Sequence, residues 1–487
     1  MGAKDSGRAA PTYRILSEDQ IAALHGAILQ VLEEVGVRVS HEEARQLLSE
    51  NGCHVEGDIV RIHGAVVERC LRSAPSTVTI YDQTGEPAME LGGRRNYYGL
   101  GTDLIVTQDL QSGERHASTL RDVIDAARVS DACPNINFVA SFALPGDVPT
   151  NAMYIACVKA QLENTRKPIF FTAAGKEDLA YIHRMVAAVV GGEDVLRAKP
   201  SIINYSEPTP PLTHSYGAVC KLFFCADKGI PICYTPAAML GGSAPVTVPG
   251  ALVQTGAEAL SGIVLHQLRA PGAPIISGVA TPTLDPRTMC VSYASPDMRM
   301  GNSAYSDLFH HYNLPIWSSA GSDAHVLDTQ GAWENAMGIL LASLDGANLI
   351  HDVAYLGQGL LGDPASIVLC DEIVSYVKHI IAGFEMNAET MATEAIRRVG
   401  PGGNYLADQH TVDHFRKVLW QPQMVNRANP DTWAAKGSLR HEERARRKAL
   451  SILAHASARP LPEGVQVQLD ALYEEAGREL ANIHFTA

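Results

Sequence analysis

The sequence predicts an α/β protein built on a (β/α)8 TIM barrel, with a helical extension at each end. Three observations carry this. Eight short apolar runs, at residues 96–99, 136–142, 168–172, 201–205, 231–235, 274–278, 315–319 and 348–352, follow one another at intervals of roughly 25 to 45 residues. Most gaps between them hold helical periodicity, as at 151–163, 179–190, 250–268 and 333–344. The seventh run opens into a loop of small residues bearing Asp323, His325 and Asp328, ahead of a helix from about Thr329 to Leu344. A barrel strand delivers side chains in this way to the C-terminal face, where its chemistry is done.

Taken in order, residues 1–92 read as a helical N-terminal region. Residues 1–16 show no periodicity and are expected to be disordered; Met1-Gly-Ala-Lys-Asp-Ser6 also fits a short myristoylation pattern that often matches by chance. Ser17 and Gln20 suit a capping box, and Ile21, Leu24, Ile28, Leu32 and Val35 follow at helical spacing as far as Gly36. A second helix spans 40–51 and stops at Gly52. Short strand-like pieces and one helix fill 54–95. The barrel occupies 93–385, and 104–107 competes with 96–99 as its first strand or pairs in a hairpin. Residues 386–487 are helical again. One stretch, 390–399, ends at Gly400-Pro-Gly-Gly403. A charged helix at 439–456 carries Arg440, Arg444, Arg446 and Arg447, and a last helix at 465–484 follows Pro460 and Pro462.

Composition narrows the function. Apolar residues are 46% and charged residues 19% of the chain, as in a globular protein. A net charge of -14 argues against a nucleic-acid surface and suits a cationic ligand. Nine cysteines without a CxxC pair point to reduced thiols in a cytoplasm. No apolar run is long enough to span a membrane. A homo-oligomer without a membrane partner is expected.

Strand ends and the loops after them gather Tyr97, Tyr98 and Asp103, then Tyr205, Ser206 and Glu207, then Tyr234 and Thr235. The seventh and eighth runs add Trp317, Ser319, Asp323, His325, His351 and Asp352; Tyr305, Phe309, His310 and His311 lie just before the seventh. Aromatic faces beside a carboxylate attract a quaternary ammonium group, and Glu207 after a buried strand is the carboxylate best placed for that. The histidines lack HExxH or other close ligand spacing, so they read as hydrogen-bonding or proton-carrying groups and no metal site is expected. Gly357-Gln-Gly-Leu-Leu-Gly362 matches G-x-G-x-x-G, but Asp371 and Glu372 come too early for a dinucleotide fingerprint. It reads as a loop bordering the mouth, with phosphate binding as a rival. No G-x-S-x-G elbow occurs.

Several motifs in order resemble the trimethylamine methyltransferase family. They are residues 236–258 from Pro236-Ala-Ala-Met-Leu-Gly-Gly, His266-Gln-Leu-Arg-Ala-Pro-Gly-Ala-Pro-Ile-Ile-Ser-Gly278, and Ser322-Asp-Ala-His-Val-Leu-Asp-Thr-Gln-Gly-Ala-Trp-Glu334. Gly346-Ala-Asn-Leu-Ile-His351, Asp371-Glu-Ile373 and Val399-Gly-Pro-Gly-Gly-Asn-Tyr405 extend the match. The resemblance implies a barrel that moves a methyl group from a methylamine to the cobalt of a corrinoid (cobalamin) held by a partner protein. It places His325 where the archaeal trimethylamine enzymes carry pyrrolysine and many relatives carry lysine, so a pyrrolysine-dependent enzyme is not expected. Relatives with ordinary residues there act on quaternary amines such as glycine betaine.

On this reading Glu207 and His325 are catalytic. Tyr97, Tyr98, Tyr205, Tyr234, Tyr305, Phe309, His310, His311, Trp317, Asp323 and His351 bind substrate. The competing readings are an inactive betaine-binding barrel and a phosphate-handling barrel enzyme.

Overall fold

The structure, a computed structural model, describes residues 8–456, 459–483 and 485. The Met1–Ser6 pattern and the end of the 465–484 stretch therefore lie outside the described residues.

The barrel strands are Tyr97–Leu100 (β1), a short segment at Phe138 and Val139 (β2), Ile169–Phe171 (β3), Ile202–Ser206 (β4), Ile232–Tyr234 (β5), Ile275–Gly278 (β6), Ile316–Ser319 (β7) and Leu349–Val353 (β8). Seven are parallel neighbours in the order β3-β4-β5-β6-β7-β8-β1. The circle is closed by parallel bridges of β2, Gly99 to Phe138 and Val139 to Ile169. Gly99 permits this approach, because a Cβ there would lie 2.2 Å from the Phe138 ring.

Every strand is followed by a helix: Leu120–Asp131 (α1), Met153–Asn164 (α2), Lys176–Val190 (α3), Tyr216–Lys228 (α4), Val248–Arg269 (α5), Pro296–Tyr312 (α6), Thr329–Leu344 (α7) and Pro364–Ala382 (α8). Among the described residues only α5 is long and apolar enough to cross a membrane, and most of it is buried in this fold. Residues 106–108 are not a barrel strand. They pair antiparallel with Arg115–Ala117 as a hairpin over the mouth.

The N-terminal region is helical only in part: the strand-like pieces expected at 54–95 are strands, and Val37–Val39 is a further strand that the helical reading of this region did not include. Strands Val37–Val39, Ile59–Arg61 and His54–Glu56 form a small sheet that Thr213–His214 joins, and Val78–Tyr81 pairs with Pro87–Leu91. Val37–Val39 is three residues long, too short for period-2 alternation to stand out. The Ser17 capping box is present. Gly36 turns the chain at φ 79°, where a Cβ would meet the Val60 carbonyl at 2.5 Å. Helix Glu18–Gln30 lies on α5, and Ile28 enters the notch left by Gly256.

At the other end, helix His441–His455 packs along α8 and helix Glu463–Glu479 along α3. The periodic stretch at 390–399 is broken at Ala392, whose φ of 54° separates Ala388–Met391 from Thr393–Val399.

Candidate active site

The C-terminal ends of the strands surround a cavity of about 710 Å³. Its floor is aromatic. Phe170 of β3 and Tyr205 of β4 have ring centres 5.2 Å apart, and Tyr205 lies 6.2 Å from Trp317 of β7 and 5.6 Å from His351 of β8. Tyr154, Tyr293 and Tyr355 add further walls. Period-2 alternation turns these strand side chains inward, and the short strands place them just below the mouth.

Three carboxyl groups line this aromatic space: Asp103 after β1, Glu207 after β4 and Asp352 in β8. Asp103 and Asp352 both have φ 64°, a left-handed conformation uncommon outside glycine, which is often retained where function requires it. Asp103 accepts from Thr172 Oγ1 at 3.0 Å and from Ser141 Oγ at 3.1 Å. Burial raises its pKa above the ordinary carboxylate value despite those bonds. Burial also pushes Glu207 up to about 7, against the pull of Lys221 and with a further push from Asp103. Asp352 likewise rises to about 7 through burial, opposed by Ser319 and Arg299. The Glu207 side chain is open to the cavity yet lies deep within the molecule, so its desolvation comes from depth rather than from lack of access.

One amine faces these acids. Lys221 of α4 donates to the Ala173 carbonyl at 3.0 Å, and burial lowers its pKa. His351 is 2% exposed, and burial lowers its pKa to about 3, so the ring is neutral. Its Nδ1 lies 3.1 Å from Asp352 Oδ1 but out of line for a hydrogen bond, leaving both ring nitrogens without partners. Trp317 Nε1 and the Tyr355 hydroxyl are buried and equally unpartnered. Unpaired buried donors are costly, and these belong to residues that line the cavity.

The loop after β7 holds this arrangement from behind. Glu334 of α7 accepts from Ser322 Oγ at 2.6 Å and from the Asp323 N–H at 2.9 Å. Asp328 caps α7 by accepting from the N–H groups of Gln330 and Gly331. Asp323 then reaches the loop between β6 and α6, accepting from Ser292 Oγ at 2.5 Å, Tyr293 N at 2.9 Å and Ala294 N at 3.2 Å. It does not line the cavity; it fixes the backbone of Tyr293, which does.

Of the residues expected from sequence, Asp103, Tyr205, Ser206, Glu207, Trp317, His351 and Asp352 come together at the cavity. The others lie elsewhere. His325 is exposed beside the cavity, its carbonyl accepting from the Arg115 guanidinium and its ring near Gly357. Tyr97 begins β1, at the end away from the mouth. Tyr98 points outward to Ser343 of α7, its hydroxyl 2.8 Å from Ser343 Oγ. Tyr234 points outward against Gly262 of α5 and bonds His214 Nδ1 at 2.8 Å. Tyr305 and Phe309 stack on each other within α6. His310 and His311 end α6 at the opposite face of the barrel, where His310 Nε2 meets the Asp345 carbonyl at 2.9 Å.

Lys221, Tyr293, Tyr355 and Tyr154 were not expected from sequence. Lys221 and Tyr154 sit within helices, and Tyr293 arrives from a hairpin, so no strand end marks them; Tyr355 follows β8 closely and could have been found. The 357–362 stretch borders the mouth, with Gln358 and Gly359 in the cavity wall. Its end, Leu361–Gly362, pairs as a strand with Tyr355–Leu356 and with Val106–Thr107, and the cap of α8 is filled by Asp363, which accepts from Ala365 N at 2.8 Å.

This geometry can be set beside known proteins. The family model described as "Trimethylamine methyltransferase (MTTB)" matches residues 3–480. The chain belongs to the trimethylamine methyltransferase family. Trimethylamine methyltransferase MttB of Desulfitobacterium hafniense (strain DSM 10664 / DCB-2) is 32% identical over 469 residues, covering 95% of this chain and 94% of that protein. Glycine betaine methyltransferase of Desulfitobacterium hafniense (strain Y51) is 29% identical over 479 residues, covering 97% and 99%. The solved monomethylamine methyltransferase of Methanosarcina barkeri aligns over 99% of this chain and 90% of its own at a TM-score of 0.53 and 9% identity, a likeness of fold. As a member of this methyltransferase family the chain is an enzyme, and its barrel is the one expected from sequence. Within it, the Ser322–Glu334 motif holds Asp323 and Tyr293 in place through the bonds described above.

Proposed function

We propose that the cavity binds a quaternary amine, glycine betaine or a similar substrate, and presents one methyl group to a corrinoid carried by a partner protein. The observation that supports this most directly is the meeting of Asp103, Glu207 and Asp352 with an aromatic floor. Such a site favours a cation too weakly hydrated to hold its water shell, through ring quadrupoles and nearby negative charge. A substrate carboxylate would find donors in Trp317 Nε1, the neutral His351 ring and the Tyr355 hydroxyl, all unpartnered and buried, with Lys221 across the cavity.

The reduced corrinoid supplies the nucleophile. What the chain supplies is desolvation and alignment. The aromatic floor holds the ammonium so that one methyl faces the mouth. As the C–N bond breaks, its electron pair stays on nitrogen and the amine becomes neutral. A carboxylate that bound the cation would then be left buried without a partner. With its pKa near neutrality, Glu207 can take up a proton at that moment, which removes that cost.

The rim suits a protein partner. Ile105, Val246, Met289, Val326 and Leu360 stand exposed on the loops after β1, β5, β6, β7 and β8. His325 lies on the same side, so its proposed role is contact with the incoming corrinoid domain rather than with the amine.

Calorimetry with methylated amines, together with methylation of free cob(I)alamin followed by absorbance, tests the proposal. Glu207→Gln should weaken cation binding by about 1–3 kcal/mol. Unchanged affinity for every methylated amine would remove Glu207 from the site. Tight binding without any methyl transfer would instead mark a betaine-binding barrel without catalysis.

A further inference from the structure

Residues 384–433 do not behave as an ordinary surface. They form four short helices, Ala388–Met391, Thr393–Val399, Gln409–Val418 and Pro430–Ala435, in which Ala395 alone is buried; Met424 is the only other buried residue of the stretch. The stretch nevertheless carries twelve of the 25 large apolar side chains exposed among the described residues, including Leu406 at 82%, Phe384 at 64% and Leu419 at 58%. Helices this short are marginal in water, and a stretch that buries so little has little to offset its ordering entropy.

Its ties to the rest of the chain are few: Phe384–Glu385 pairs with Arg8–Ala9, Trp420 packs edge-on against Tyr376 of α8 with ring centres 5.1 Å apart, Met424 enters the core, and the remainder are polar. Glu372 Oε1 of α8 accepts from the N–H groups of Gln423, Met424 and Val425, and Trp420 Nε1 donates to Ser375 Oγ at 3.1 Å. Arg398–Asp408 at 2.8 Å and His414–Glu389 at 3.3 Å link its helices to one another. Among the described residues nothing covers the rest of its apolar surface.

We propose that residues 384–433 are a self-association arm and that a second copy of this chain covers it. The size fits. Twelve such side chains present on the order of 1,000 Å², above the few hundred Å² of an ordinary monomer patch and close to the share each partner gives in a standard interface. A receiving groove lies alongside: an apolar hollow of about 180 Å³ lined by Met337 and Leu340 of α7, Tyr376 and Val377 of α8, and Trp420 and Val425 of the arm itself. The arm therefore walls part of the groove, and a two-fold axis can seat each copy's arm on the other's groove. Charge permits it, since the arm has six carboxylates against five Lys and Arg in a chain of net charge -14. Position favours a second copy over a corrinoid protein. The arm leaves α8 at the helix C-terminus, the end away from the cavity mouth, and none of its residues lines the cavity.

Light scattering or sedimentation of the full chain at micromolar concentration, with hydrogen exchange over 388–435, provides the test. The wild type should be dimeric or larger with a protected arm. Leu406→Glu with Leu419→Glu should give monomers with arm exchange at least about tenfold faster and unchanged barrel melting, since both side chains are exposed in the single chain and cannot break its core. Met337→Glu, on the groove, should dissociate the assembly in the same way. A monomeric wild type, or variants that stay associated, would overturn the proposal. So would an arm protected only after a corrinoid protein is added, which would assign the surface to that partner.

Discussion

At the scale of single residues, the acidic cavity makes ligand affinity depend on pH. Glu207 and Asp352 have carboxyl pKa values raised to about 7 by burial. The folded protein therefore holds protons that the unfolded chain, with carboxyl pKa near 4, has already released. That contribution to stability is present at low pH and is lost as pH rises through about 7. A bound cation reverses the preference by favouring the ionised groups. Quaternary-amine affinity should therefore rise between pH 6 and 8 and flatten above, by up to about tenfold per pH unit for each proton released. Calorimetry across that range reads it, and a flat profile would mean that neither carboxyl meets the cation. Asp323 makes a separate case. Because it fixes the Tyr293 backbone through three bonds, Asp323→Asn should raise KM more than it lowers kcat, with the same direction in Tyr293→Ala. A variant whose KM is unchanged would show that the loop between β6 and α6 holds its place without this carboxylate.

At the scale of elements, two joints carry the site. The first is the start of α7, where Asp328 caps the helix and Glu334 holds Ser322 and Asp323. Asp328→Ala should cost about 1 kcal/mol of stability in a denaturant titration, the usual worth of such a cap. The second is the seam between α5 and the N-terminal helix Glu18–Gln30. A methyl on Gly256 would lie 2.4 Å from Ile28 Cδ1. Gly256→Ala should therefore destabilise by about 1–3 kcal/mol through overpacking, and Ile28→Val should recover part of it by removing the clashing methyl. A single variant as stable as the wild type would show that Ile28 has another rotamer free. These joints also show how far sequence reasoning reaches. The Ser17 box and the α7 start were legible because capping depends on local spacing. The strand Val37–Val39 and the break at Ala392 were not, because long-range pairing defines the first and a single left-handed residue the second.

At the scale of the whole molecule, the chain presents two apolar surfaces at different places, the rim of the mouth and the arm at 384–433. If the rim receives a corrinoid protein, Ile105→Asp with Leu360→Asp should slow methyl transfer to that protein while leaving transfer to free cob(I)alamin nearly unchanged. Equal losses in both assays would place the defect in the cavity instead.

By itself the sequence determined the eight strand–helix alternations, the helical C-terminal extension and the loop after the seventh strand, because hydrophobic period and capping are local properties that survive without coordinates. It also marked Asp103, Tyr205, Glu207, Trp317, His351 and Asp352, since a barrel brings its strand ends to one face. Tertiary structure alone decided which way each side chain points. Alternation sent Tyr98 and Tyr234 outward while Tyr205 and Trp317 turned inward, and a shift of one residue in strand position reverses that choice. It alone brought Lys221 and Tyr154 from helices and Tyr293 from a hairpin to the same cavity as Asp103 and Asp352, because closing the barrel joins residues that no spacing in the sequence connects.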